Sequence, residues 1–183
     1  MLNSTIDGFS RALAYTYNHN GVLPNYISYN QSTYPITTNT TGNTTTNTTD
    51  PYLLPTYNCQ SNDAVIISLS KNLTKGCTSV LSKATNIFNY VRDYIKYDQY
   101  ENTRYGAVKT LSRKLGNCCD QAHLLVALLR AANIRAGYAH AECQFNSGIK
   151  GHVWAKIYLN NEWVDTDPTS RYNSIGNTKS NTI

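Results

Sequence analysis

The chain has 183 residues, 40% hydrophobic and 11% aromatic, which suits one folded domain with an appendage rather than two large cores. Its net charge of +5 arises after residue 58, because residues 1–58 carry only one basic and two acidic side chains. That surplus is too diffuse for a nucleic-acid interface, and no stretch approaches the roughly 20 apolar residues of a membrane span.

The N-terminal part predicts two segments that precede the main domain. Residues 3–20 show apolar side chains at helical spacing, which predicts a short amphipathic helix. Residues 37–49 are all Thr or Asn except Gly42, a composition typical of a flexible linker because it offers nothing for a core. We therefore divide the chain into an N-terminal segment, a linker and a main domain, at residues 1–35, 36–57 and 58–183.

The main domain begins with helices and ends with strands. Apolar periodicity predicts four helices, at residues 62–75, 78–96, 107–114 and 118–133. An aromatic and polar connector occupies residues 97–106. Strands are predicted at residues 135–143, 152–159 and 162–167, with Asn160 and Asn161 as a hairpin turn. Helices followed by antiparallel strands are typical of an α+β domain.

Two adjacent cysteines stand at the start of the last predicted helix, in Gly116-Asn117-Cys118-Cys119-Asp120. The unpaired N–H groups and the positive end of the helix dipole, both at the helix N-terminus, favour thiolate over thiol. The thiolate is the nucleophilic form of cysteine. Consecutive helical residues point about 100° apart, so only one thiol can face a given base. We favour Cys118 as the nucleophile and keep Cys119 as the alternative. Asp120 is interpreted as a first-turn acid that stabilises the helix start.

A base and an acid follow the cysteine in chain order. His152 lies on the second predicted strand and can take the thiol proton. Asp167 lies at the end of the third strand, where it can hold the imidazole in one tautomer. Asp165 is the alternative acid, because alternation places it on the same face of the strand as Asp167.

The negative charge that develops on an attacked carbonyl oxygen requires hydrogen-bond donors. The backbone N–H of Cys118 is the first candidate. Asn102 and Tyr105, both in the connector, are candidates for a second donor.

Three further cysteines remain. Cys59 and Cys77 could form a disulfide at the start of the domain, and Cys143 is interpreted as structural. No spacing of Cys and His typical of a zinc site occurs, so we predict no structural metal.

Residues 116–130, together with His152-Val153-Trp154 and Trp163 through Asp167-Pro168-Thr169, resemble the signature of the transglutaminase-like superfamily. In that superfamily the Cys two residues after the Gly, the His of His-x-Trp and the Asp four residues after a Trp form the catalytic triad. The resemblance therefore implies Cys118, His152 and Asp167 as catalytic residues. It also implies a papain-like α+β fold with helices packed on an antiparallel sheet.

A narrower resemblance joins the chain to the pseudomurein endoisopeptidases of methanogens and their viruses. Several segments of the main domain carry it, namely residues 58–63, 73–77, 90–93 and 105–107. Residues 5–35, and Gly21 to Ile27 in particular, are similar to a pseudomurein-binding repeat. The resemblance implies cleavage of the isopeptide bond between alanine and a lysine side chain of the wall peptide. It also implies a divalent cation such as calcium, although the sequence does not identify its ligands. The chemistry of the triad itself requires no cofactor.

Two other functions use the same residues differently. An acyl transferase would pass the thioester to an amine instead of water, and an adhesion module would keep the fold without catalysis. Residues 1–10 lack the apolar core of a secretory signal. We expect a monomeric protein that is made in the cytoplasm and acts on the cell wall after release.

Overall fold

A computed structural model describes residues 50–178 of the chain. The predicted wall-binding segment at 1–35 and most of the Thr/Asn-rich linker lie outside these described residues. Within residues 50–178, no helix is long and apolar enough to cross a membrane.

The described region contains four helices and two groups of paired strands. In chain order the elements are α1 (Ala64–Leu73), α2 (Val80–Tyr94), β1 (Lys96–Tyr97), α3 (Gly106–Arg113), β2 (Leu115–Gly116), α4 (Cys118–Ala131), β3 (Ala136–Phe145), β4 (Gly148–Leu159) and β5 (Glu162–Thr166). Every helix and strand predicted in the main domain is present, and the α+β prediction is confirmed. The two-residue strands β1 and β2 were not predicted.

Polar side chains set the first residues of three helices. Asp63 accepts a hydrogen bond from the backbone N–H of Val65 at 2.8 Å and begins α1. Ser79 and Ser82 bond reciprocally and begin α2. Asn117 accepts from the N–H of Asp120 at 3.0 Å and begins α4. Each cap satisfies an N–H group that the helix itself leaves unpaired.

The main sheet is antiparallel in the order β3-β4-β5. The β3–β4 hairpin is longer than predicted, because β4 begins at Gly148 instead of His152 and pairs Ala141 with His152. The β4–β5 turn has positive φ at both Asn160 and Asn161, as a tight hairpin turn requires. This hairpin brings the residues after Thr166 back beside the start of β4.

Helix α4 forms the centre of the core. All its residues from Asp120 to Arg130 are buried, and it contacts α1, α2 and α3 as well as β3 and β4. A helix that is buried on all sides must satisfy its polar side chains internally. Arg130, for example, donates to the backbone oxygen of Ala136 from Nε and Nη2.

Residues 50–57, which the sequence assigns to the linker, pack on this domain. The Tyr52 and Trp163 rings meet at 4.8 Å between centroids, and Asp50 forms an ion pair with Arg135 at 2.8 Å. The backbone oxygen of Leu54 accepts a hydrogen bond from Arg130. The folded unit therefore includes Asp50.

The suggested disulfide between Cys59 and Cys77 is not formed, because both side chains are free thiols. Cys59 is fully buried in the core, where burial raises the pKa of its thiol. Cys77 lies in the partly exposed turn before α2, where its sulfur accepts a hydrogen bond from Asn86. The two thiols occupy different environments that spacing along the chain does not reveal.

Candidate active site

The start of α4 is held against the preceding connector by Asn117. Its side-chain amide donates to the backbone oxygens of Tyr100 and Asn102 at 2.9 and 2.8 Å, and its own N–H donates to the Tyr100 hydroxyl at 3.0 Å. Gly116, just before it, is closely packed, because a Cβ there would lie 3.0 Å from Cβ of Asp120. Cys118 is therefore presented from a fixed backbone.

Asp120 does more than the sequence predicted. It is fully buried, and its carboxylate accepts hydrogen bonds from the Tyr100 hydroxyl at 2.6 Å and from the N–H of Gly106 at 2.8 Å. It also accepts from the N–H groups of Arg104 and Tyr105. The interpretation as a first-turn acid is thus incomplete, because the main partners of the carboxylate are in the connector. The connector folds around a buried negative charge, which sequence pattern alone does not reveal.

The structure brings His152 and Asp167 together. His152 Nε2 lies 2.9 Å from Asp167 Oδ2, and both side chains are almost fully buried. The other oxygen, Oδ1, accepts from the backbone N–H and the hydroxyl of Thr169 at 3.0 and 2.8 Å. Since Nε2 is engaged by Asp167, Nδ1 is the ring nitrogen left to serve Cys118.

Asp165, the alternative acid, has a different partner. Its Oδ1 accepts from the indole N–H of Trp154 at 2.7 Å and lies 3.4 Å from Nζ of Lys156. Trp154 in turn stacks on the His152 ring, with 5.8 Å between centroids and 22° between planes. Asp165 therefore holds the tryptophan that covers the imidazole, while Asp167 contacts the imidazole itself.

Cys118 is surrounded by groups that stabilise a thiolate. A hydrogen bond from the Cys119 thiol has the largest effect, opposed by burial and reinforced by a hydrogen bond and charge from His152, and the result lowers the pKa of Cys118 to about 4. The backbone N–H of Val153 contributes as well. Burial disfavours the charged imidazole, but Asp167 and Cys118 outweigh it and raise the pKa of His152 to about 9. Between these values the site holds a thiolate and an imidazolium.

Cys119, the alternative nucleophile, supports its neighbour. Its hydrogen bond to Cys118 and its burial raise the pKa of its own thiol well above the usual value. A protonated Cys119 is a donor to the Cys118 sulfur and a poor nucleophile at neutral pH.

Within residues 50–178, the side chains of Asn102 and Tyr105 make their contacts away from the Cys118 sulfur. Asn102 contributes its backbone oxygen to Asn117, and the Tyr105 ring packs against Tyr100 and Arg113. Their role as oxyanion donors remains a prediction. A residue that sequence reasoning missed, Tyr97, has its hydroxyl in hydrogen-bonding contact with Cys118. It lies in the connector to which the sequence assigned the second donor, but a two-residue strand has no periodicity that would single it out.

Two other titratable side chains near the site have different surroundings. His123 lies between the hydroxyls of Thr103 and Tyr138, each 2.9 Å from a ring nitrogen, as expected of a structural histidine. Cys143 lies on β3, where burial and the charges of Asp167 and Glu142 raise the pKa of its thiol.

The resemblance to pseudomurein endoisopeptidases implies a divalent cation. Within residues 50–178, no three side chains of His, Cys, Asp or Glu converge in a way that could hold a metal ion. The cation stays a prediction, and the proposed reaction uses only side chains of this site.

Comparison with known proteins places this arrangement in a family. The sequence model of the transglutaminase-like superfamily matches residues 67–168, a range that contains Cys118, His152 and Asp167. The chain belongs to the transglutaminase-like superfamily. No curated protein matches it.

Solved structures of other proteins share the fold. A Cytophaga hutchinsonii protein proposed to be a cysteine protease is 28% identical, with a TM-score of 0.59 over 65% of this chain and 41% of that one. The periplasmic domain of TgpA from Pseudomonas aeruginosa is 17% identical, with a TM-score of 0.52 over 65% of this chain and 46% of that one. The chain thus spans less than half the length of either structure.

Proposed function

We propose that this member of the transglutaminase-like superfamily is a thiol endoisopeptidase that cleaves the alanine–lysine side-chain isopeptide bond of pseudomurein. The observation that carries the thiol chemistry is the contact series from Cys118 through His152 to Asp167. Two resemblances support the substrate. Residues 58–63, 73–77, 90–93 and 105–107 resemble the pseudomurein endoisopeptidases, and residues 5–35 resemble a pseudomurein-binding repeat. The similarity to a Cytophaga hutchinsonii protein proposed to be a cysteine protease is consistent with hydrolysis.

The first half of the reaction forms a thioester. The Cys118 thiolate attacks the alanine carbonyl carbon, and the carbonyl oxygen becomes negatively charged. The His152 imidazolium then gives its proton to the lysine Nε as the C–N bond breaks, so the product leaves as a neutral amine. Asp167 keeps the imidazole oriented through both events.

The second half regenerates the thiolate. Neutral His152 takes a proton from water, the resulting hydroxide attacks the thioester carbon, and the C–S bond breaks. The products are the alanine carboxylic acid, which releases its proton to solvent as it leaves, and the original thiolate–imidazolium pair. An amine in place of this water would give transfer instead of hydrolysis, so the two outcomes differ only in the acceptor.

A direct test measures new amino groups in the wall. Purified full-length chain is incubated with pseudomurein sacculi, and free lysine Nε groups are labelled with dinitrofluorobenzene and identified by mass spectrometry. We expect labelled lysine to increase with the wild type and with Cys119→Ala, and to remain at background with Cys118→Ala.

Two results would overturn the proposal. Unchanged amine content with folded wild-type protein would exclude the substrate, and loss of activity in Cys119→Ala alone would move the nucleophile. A parallel incubation with added methylamine detects transfer, because amine-capped alanine would replace free carboxylate as the main product.

A further inference from the structure

Tyr97 is placed beside the nucleophile by the short parallel pairing of β1 with β2. In this pairing Tyr97 stands opposite Gly116, two residues before Cys118, and the N–H of Asp98 donates to the Gly116 oxygen at 3.2 Å. The Tyr97 hydroxyl contacts Cys118, and half of the residue's surface is exposed. The hydroxyl thus lies beside the sulfur, on a residue that reaches the protein surface.

The start of α4 supplies the complementary backbone donors. The first intrahelical hydrogen bond runs from the N–H of Gln121 to Asn117, and the N–H of Asp120 is taken by the Asn117 side chain. The N–H groups of Cys118 and Cys119 precede these bonds and belong to the set that a helix leaves without an intrahelical acceptor. The Cys118 N–H donates to the Tyr97 hydroxyl oxygen, so the two donors lie side by side. An oxyanion formed at the sulfur can therefore be reached by the Cys118 N–H from the helix and by a hydroxyl from β1.

We propose that the Tyr97 hydroxyl is the second oxyanion donor of this site, acting together with the backbone N–H of Cys118. In the free protein the hydroxyl donates to the thiolate. When the sulfur bonds to the acyl carbon, the negative charge moves from sulfur to the carbonyl oxygen, and the hydroxyl follows the charge. No proton is transferred from Tyr97, so it needs only to remain protonated.

The electrostatic environment keeps this hydroxyl protonated. Burial, followed by the negative charge on Cys118, raises the pKa of Tyr97 to about 12. It therefore remains a donor across the range in which the thiolate and imidazolium coexist. The inference rests on the proposed thiol chemistry but not on the identity of the wall substrate.

The test compares two reactions of the same thiolate. Acylation by p-nitrophenyl acetate passes through an oxyanion, whereas alkylation by iodoacetamide displaces iodide and forms none. Both rates are measured on the full chain, with peptide mapping to confirm modification at Cys118 and subtraction of the Cys118→Ala background. The variants are Tyr97→Phe and, as a matched control, Tyr94→Phe, whose exposed ring stacks on Tyr90 on α2.

We expect Tyr97→Phe to slow acylation by roughly 100-fold, the usual loss on removal of one oxyanion donor. Alkylation should change by about tenfold or less, since only a hydrogen bond to the thiolate is lost. Tyr94→Phe should leave both rates unchanged. The diagnostic quantity is the ratio of the two rates, because a general change in folding or in thiolate reactivity affects both reactions.

The other outcomes reject the inference. Equal slowing of both reactions would make Tyr97 a residue that only positions the thiolate, and unchanged acylation would remove it from the site. Acylation of Cys118 without cleavage of sacculi would reject the substrate and leave Tyr97 in its role. Absence of any acylation at Cys118 in the wild type would overturn both proposals.

Discussion

At the scale of single residues, Cys118 contacts side chains from three different elements. Cys119 is its neighbour on α4, His152 comes from β4 and Tyr97 from β1. Donors and a positive charge around one sulfur favour the thiolate, and the same thiolate favours the protonated imidazole. The low pKa of the thiol and the high pKa of the imidazole are therefore two aspects of one interaction.

The rate of Cys118 alkylation by iodoacetamide should rise with pH with a midpoint at about 4, because the pKa of the thiol is lowered to that value. The value of kcat/KM should fall as pH drops below about 4, where the thiolate is protonated. It should also fall as pH rises above about 9, where His152 loses the proton that the leaving amine needs. An alkylation midpoint near 9, the ordinary thiol value, would contradict this ion pair.

Asp167 and Asp165 provide a matched pair for testing which carboxylate orients the imidazole. Asp167→Asn removes the charge 2.9 Å from His152 Nε2 and should lower kcat by 100-fold or more, on the order of the loss seen when a triad acid is made neutral. Asp165→Asn keeps an oxygen for the Trp154 indole and should cost less than about tenfold. Steady-state rates of both variants on one substrate show which loss of kcat is larger. A larger loss in Asp165→Asn would make Asp165, not Asp167, the carboxylate that orients the imidazole.

At the scale of elements, the position of Cys118 depends on the contacts between the connector and the start of α4. Asn117 caps the helix and also binds the connector backbone, and Asp120 accepts four hydrogen-bond donors from it. Gly106, with φ of 67°, lets the chain enter α3 at this point, where a Cβ would lie 3.1 Å from the Asn58 oxygen. The connector is thus part of the active-site framework.

Asp120→Asn should lower the free energy of unfolding by about 3 kcal/mol, because the network loses its buried charge and one of its two acceptor oxygens is replaced by an NH2 donor. Activity per folded molecule should fall too, since the connector carries the chain from Tyr97 to α3. The control is Asp93→Asn at the exposed Arg92 ion pair, which should change stability by less than about 1 kcal/mol. Urea titrations measure the stability of both variants. Equal midpoints for Asp120→Asn and Asp93→Asn would refute a structural role of Asp120.

At the scale of the whole molecule, the helical part and the sheet supply different halves of the site. Helix α4 carries the proposed nucleophile, while β4 and the segment after β5 carry the proposed base and its acid. The contacts of α4 with β4 keep these halves together. The N-terminal strap, defined here as residues 50–57, contacts the helical part through Arg130 and the sheet through Trp163.

Removing the strap should loosen this arrangement. A chain of residues 58–183 should be less stable than one of residues 50–183 by on the order of 2–4 kcal/mol, since it loses an aromatic pair and an acceptor for buried Arg130. Urea unfolding of the two chains checks the difference. Equal stability would show that the strap only rests on the surface.

The sequence by itself determined the elements and their order. Apolar periodicity gives α4 its length, the Asn pair gives the β4–β5 turn, and the local motifs predict the thiol, the imidazole and the carboxylate. These features depend on neighbours along the chain, which is why they can be read without coordinates.

Tertiary structure alone decided which groups meet. In the folded chain His152 contacts Asp167 and not Asp165, and the Cys119 thiol donates to Cys118. The pairing of β1 with β2 places Tyr97 next to the Cys118 sulfur. The binding partners of Asp120 also come from 14 to 20 residues away. Such contacts follow from how the elements pack, and a sequence pattern carries no record of which face meets which.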